Sequence, residues 1–252
     1  MDAQELQRLI KDTPEGGELT LPEGTIAGGV VLKRSITLVG AGPERTILDA
    51  GGRGTVLSVD GGEVTVKGVR ITGGKSTRGG GVSIDNGARV ALIDCHLTGN
   101  GANAGKGGAV NVDRGAVRLL RCHFLDNRAD EGGAVFIGGT AEGELESCYF
   151  AQNSAERGGA LSLTGGAKVR LEHCRLDENL GARKGHHLYT YGSSAQRPKL
   201  TLVQVVFGEV AAEGPSIVND SDFKAEIELD GTVWPSDSPN TAKPKRRRFT
   251  LH

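Results

Sequence analysis

The chain has 252 residues, room for one or two domains, and 40 of them are glycine against 37% hydrophobic and 4% aromatic. That composition excludes a globular core of interlocking rings and suits a repetitive structure with tight turns. Charges nearly cancel, for a formal net charge of −1, and no run approaches the roughly 18 apolar residues of a transmembrane segment.

The N-terminus begins Met1-Asp2-Ala3-Gln4-Glu5, without the basic-then-apolar pattern of a secretion leader, so a cytoplasmic location is expected. Asp2 with Glu5 resembles an acidic capping box, and Leu6, Leu9 and Ile10 share one helical face. Residues 2–12 therefore read as a short helix, and 1–16 as a cap over the first coil. Leu19/Leu21, Val30/Leu32, Ile36/Leu38 and Ile47 make an irregular first coil, and Leu57/Val59, Val64/Val66 and Val69/Ile71 a regular one.

From there three marks share one period. Cys95, Cys122, Cys148 and Cys174 stand 27, 26 and 26 residues apart, and Asn100, Asn127, Asn153 and Asn179 repeat those intervals. Glycine pairs recur ahead of Val82, Val110, Val135 and Leu161. A fixed period of this length means a solenoid. Within a repeat, apolar residues alternate in three short runs, as in Val110/Val112, Val117/Leu119 and Cys122/Phe124. Alternation with period 2 marks strands with one buried face, so each repeat reads as a three-sided coil. Like residues then stack, about 4.8 Å apart. The cysteines become buried free thiols, and the asparagines a ladder that satisfies its own amides and takes up left-handed turns.

The pattern persists through Leu188, an insertion around 191–199, Leu200/Leu202, Val205/Phe207 and Ile227/Leu229, with Val233/Trp234 ending the last turn. The reading is an all-β, single-stranded parallel β-helix over 17–234, with about eight coils of about 26 residues. Trp234 is placed to close the far end, and 235–252 is expected to be a disordered tail.

These marks resemble the pectin-lyase-like superfamily of right-handed parallel β-helices. A short helix followed by Leu19-Thr20-Leu21-Pro22-Glu23-Gly24-Thr25 and Ser35-Ile36-Thr37-Leu38-Val39-Gly40 looks like the usual entry to that fold. The central coils are similar to repeats of chlamydial polymorphic outer-membrane proteins, which carry Gly-Gly-Ala-aliphatic and Phe-x-x-Asn motifs. Here Phe124 with Asn127 and Phe150 with Asn153 match the second motif. The resemblance implies a right-handed coil and leaves function open, because the fold hosts lyases, hydrolases, adhesins and non-catalytic scaffolds.

Polysaccharide-active members gather carboxylates with Arg, Lys or His on one outer face, which general acid–base chemistry requires. This chain has no Asp-Asp and no Gly-His-Gly; Gly185-His186-His187 comes nearest, and Asn219-Asp220-Ser221-Asp222 falls in the last coil. Asp130, Glu131, Glu156 and Arg157 read as solvated turns. No catalytic residue, cofactor or metal is assigned. The candidate binding residues are an outward column of Arg70, His96, His123, Tyr149 and Arg175, suited to an acidic or aromatic partner. A second outward column, Ser83, Asn111, Phe136, Ser162 and Tyr189, offers Phe136 and Tyr189 as exposed aromatics. In the tail, Lys243, Lys245, Arg246, Arg247 and Arg248 suit nucleic acid or an anionic surface. The expected function is a non-catalytic scaffold presenting a flat repetitive face to a protein. The alternatives are a carbohydrate-active protein with a carboxylate-lined groove beside 180–199, and a structural protein that assembles end to end.

Overall fold

The computed structural model describes residues 1–220 and 225–232. Its one helix, α1 (Ala3–Asp12), starts where the Asp2 carboxylate accepts the Glu5 N–H at 2.9 Å. Leu6 and Ile10 are buried against the first coil. Gln7 does more than pack: its amide donates to the Val31 carbonyl and accepts the Val31 N–H, both at 2.9 Å. It thereby satisfies the edge strand Val30–Leu32, which ends its sheet.

Behind the helix the chain winds as a parallel β-solenoid of about eight turns, the expected spacing of about 26 residues holding in the central coils. One coil shows the plan: Val110–Val112 lies in sheet I, Gly115–Leu120 in sheet II, His123–Leu125 in sheet III and Arg128–Glu131 in sheet IV. These sheets have eight, nine, eight and five strands, each strand paired in parallel with its counterpart one coil away. Sheet IV corrects the three-sided expectation. Its strands are charged and short, with one inward residue, Ala102, Ala129 or Ala155, two places beyond a ladder asparagine.

The core follows the alternation. Valine, leucine and isoleucine fill it, Phe124 stacks on Phe150 with ring centroids 4.6 Å apart, and the four cysteines are buried and free. Each of the four thiols donates to a carbonyl one coil back, as Cys148 does to Leu119 at 3.4 Å. Burial pushes the Cys148 thiol well above its ordinary range, so it stays protonated.

The asparagine ladder forms. The Asn127 side-chain oxygen accepts from both the backbone N–H (3.0 Å) and the side-chain amide (3.1 Å) of Asn100. The Asn127 amide in turn donates to Asn153 Oδ1 at 3.0 Å and to the Leu97 carbonyl at 2.9 Å. Asn153 and Asn179 repeat the pattern, and Asn179 Nδ2 ends at 3.1 Å from His187 Nδ1. The left-handed residue, however, is the one before each asparagine: Asp126, Gln152 and Glu178 have φ of 54°, 56° and 49°. The turn must complete before the asparagine side chain can aim inward. Another such column, Asp94, Arg121, Ser147 and His173, precedes the cysteines with φ of 51–54°.

The glycine pairs join sheet IV to sheet I. Gly107 has φ +62°, and a Cβ on Gly108 would sit 2.2 Å from the Gly133 carbonyl oxygen and 2.6 Å from that of Arg128. Only a bare backbone passes there. In the first coil the reading of Ile47 is one place off: Thr46 and Leu48 point inward and Ile47 outward. A polar residue at the inward place disguised the register; the Thr46 hydroxyl donates to the Pro22 carbonyl and accepts the Ala41 N–H. Ser221, Asp222, Val233, Trp234 and the tail lie outside the described residues.

Candidate functional site

Sheet III carries the first predicted column. Arg70, His96, His123, Tyr149 and Arg175 occupy equivalent places on five consecutive strands. The His96 and His123 rings stack with centroids 4.7 Å apart and planes 6° apart, and Tyr149 meets His123 edge-on at 5.9 Å. Glu44, which the sequence reading did not assign, reaches over from the preceding turn. It pairs with Arg70 and stands 3.4 Å from His96 Nδ1. Arg70 holds the Glu44 carboxyl below its usual range, while burial, then the neighbouring His123, lowers His96. At the other end Arg175 pairs with Asp177. Parallel imidazoles aim their lone pairs side by side rather than at one point. Among the described residues no three His, Cys, Asp or Glu side chains are placed to hold a metal ion. The column is thus a flat strip of rings whose end cations are neutralised from within.

The second predicted column is not exposed. Phe136 and Tyr189 are 1% and 3% exposed, and Asn111 and Ser162 are equally buried. Sheet IV is the cause, because its last residues fold over the outer face of sheet I. Lys106 Nζ lies 4.4 Å above the Phe136 ring, and the Arg157 guanidinium 6.0 Å above Tyr189. Alternation predicted correctly that these residues point away from the core, but a fourth strand stands between them and water.

That overlap creates a corner cleft of about 550 Å³, lined by Lys106, Glu131, Arg157, Tyr189, Tyr191 and Asp220 among others. It lies beside the insertion, on the face where the carbohydrate alternative expects a groove. Glu131 is no solvated turn: it sits on a strand between Arg157 at 3.0 Å and Lys106 at 3.8 Å. Across the cleft the Tyr189 hydroxyl donates to Asp220 at 3.0 Å, and Lys184 pairs with the same carboxylate. Lys184 holds Asp220 below its ordinary range; burial, with Asp220 beside it, pushes the Tyr189 phenol up to about 12. Tyr191 stays 48% exposed at the mouth. Ser162 Oγ and Arg157 Nε are buried without a hydrogen-bond partner.

Sheet II holds a third feature, a depression of about 310 Å³ floored by Ala91, Ala116 and Thr65 and rimmed by Glu63, Glu142, Glu144, Arg89 and Arg118. Three carboxylates thus gather on one outer face. Sequence reasoning passed over them because Glu63 comes three coils before Glu142 and Glu144 and the three form no motif. The two alanines, each matched in register to a long charged residue, are the signal that marks the hollow.

The family model described as right handed beta helix region matches residues 44–207, well over half of the chain, which therefore belongs to that family. Two solved structures share the pectin-lyase-like coil. One is a pectin methylesterase from carrot, at 10% identity and TM-score 0.62 over 92% of this chain and 79% of that one. The other is an alginate lyase from Paenibacillus sp. str. FPU-7, at 15% identity and TM-score 0.59 over 93% and 94%. At such identities the likeness is one of fold. No curated protein matches the chain.

Proposed function

We propose that this right-handed β-helix is a non-catalytic scaffold that presents the sheet III strip to a protein partner. The observation that carries the reading is the register of Arg70, His96, His123, Tyr149 and Arg175 on five adjacent strands. Aromatic and arginine side chains on a flat, partly exposed strip are what the centre of a protein interface is made of. The paired carboxylates agree with binding rather than proton transfer. Glu44 and Asp220 are held ionised by Arg70 and Lys184, whereas a general acid needs a raised pKa. The test is quantitative capture from native lysate with the wild type, His123→Glu/Tyr149→Glu and Tyr191→Ala. One protein should be enriched by the first and third baits and lost at least about tenfold from the second. Equal recovery on all three, or cleavage of pectin or alginate by the wild type, reverses the reading.

The cleft favours a second reading, a carbohydrate ligand. Tyr191 is exposed at its mouth, and paired carboxylate, guanidinium and phenol groups line it, the combination that holds a ring bearing hydroxyls. The two structural neighbours are named for pectin and alginate. Titration with neutral and uronate trisaccharides decides it: binding that disappears in Tyr191→Ala supports it, and silence with every sugar removes it.

A further inference from the structure

We propose that sheet II is a homodimer interface, on which a second copy of this chain packs face to face with its axis reversed. The sheet has nine strands with Gly115–Leu120 at the centre. Three outward columns run along it, and the register gives the residue at every level. Consider a two-fold axis lying in the plane of this face, along the central strand. It leaves each column opposite itself and reverses the order of the coils, so any level faces the level equally far on the other side of the centre.

Three pairs of opposite charge meet under that operation, and Ile93 comes opposite Glu146. In the first, Arg89 comes opposite Glu142 of the second copy and Glu63 opposite Lys168. Glu63 and Arg89 are register neighbours, and Lys168 already pairs with Glu142 at 3.4 Å. The four groups therefore close into a square of alternating sign. In the third column Lys67 faces Glu172, Val39 faces Val203, and Leu120 meets its own copy on the axis. The two halves of the face differ in charge: the last four strands carry seven acidic and three basic outward residues, and the four before the centre two of each, Glu18, Glu63, Lys67 and Arg89.

The second column accounts for the depression. Glu144 of the second copy falls opposite Ala91, over the hollow that Ala91 and Ala116 leave, with Arg89 and Arg118 on its rim. Arg118 meets its own copy on the axis, where Glu144 of the opposite chain stands one strand away to neutralise it. The remaining like-signed meeting, Glu18 with Glu228, falls on the outermost strands, where solvent screens it. Nine strands at about 4.8 Å by some 17 Å of strand give a face on the order of 650 Å² per copy, close to the roughly 800 Å² that a stable interface needs. The strip on sheet III and the cleft remain open in such a dimer, so this inference is independent of the proposed function.

Sedimentation velocity up to about 100 µM tests it. Wild-type protein should run as a dimer, twice the 26.3 kDa of one chain. Leu120→Glu, which sets like charges against each other on the axis with Glu146 of the opposite chain one strand away, should give monomer with an unchanged circular dichroism spectrum. Lys67→Glu should weaken association at least about tenfold, and Lys67→Glu/Glu172→Lys should restore it. His123→Glu/Tyr149→Glu should leave the dimer intact. A monomer at the highest concentration, growth beyond the dimer, or a dimer that survives both Leu120→Glu and Lys67→Glu overturns the proposal.

Discussion

The asparagine ladder and the corner cleft are both built from polar groups withdrawn from water, and they satisfy those groups in opposite ways. In the ladder each amide finds its partner in the next copy of itself, one coil away. Along the sheet I column that runs beneath sheet IV into the cleft the residue changes at every level, from Asn111 to Phe136, Ser162 and Tyr189, and Ser162 Oγ and Arg157 Nε go unpaired. Repetition solves the hydrogen-bonding problem for a solenoid interior. Where repetition stops, the surface acquires individuality at some cost in stability.

The contrast breaks most visibly at the middle of the ladder. Asn127→Ala leaves the Asn100 N–H without its acceptor, takes one acceptor from the Asn100 amide and opens a void, so urea denaturation should show a loss of about 4 kcal/mol. Next comes the ladder's end, where Asn179 donates to a His187 ring that must stay neutral. Burial lowers His187 from 6.5 to about 4. Above pH 6.5 the ring is neutral both folded and unfolded, and no stability is lost. As pH falls toward 4 the unfolded chain takes up a proton that the folded chain refuses, which removes about 3 kcal/mol. His187→Gln should flatten that portion of the stability–pH curve; an unchanged slope would mean that another group is responsible.

In the covered sheet I column the sign reverses. Ser162→Ala deletes a buried hydroxyl that has no partner, and should raise the urea midpoint by the equivalent of about 1 kcal/mol. A loss there would show that the hydroxyl is satisfied in solution. The smallest effect concerns the turns: Ser147 is exposed at φ 54°, so Ser147→Gly should stabilise by about 0.5 kcal/mol on thermal unfolding.

Much of the interior was legible because every coil repeats the same environment: one thiol, one amide and one glycine pair reveal the period and the inward faces. Sheet IV was hidden because its only inward mark is a single alanine amid Arg128, Asp130 and Glu131, a run that reads as a solvated turn. Missing that strand placed Phe136 and Tyr189 on the surface and left the cleft's lining unseen; only the carbohydrate alternative expected a groove beside the insertion. The sheet III strip was legible residue by residue, since period 2 alone assigns its direction. Glu44 was not, because a turn residue has no periodicity to betray where it reaches.

The side chain of Gln7 occupies the hydrogen-bonding positions of a residue in a neighbouring strand, answering both backbone groups of Val31. That amide answers the edge of one of the three sheets that end beneath the helix. Changing Gln7 to leucine should leave the Val31 groups open to another chain, which light scattering would register as concentration-dependent association.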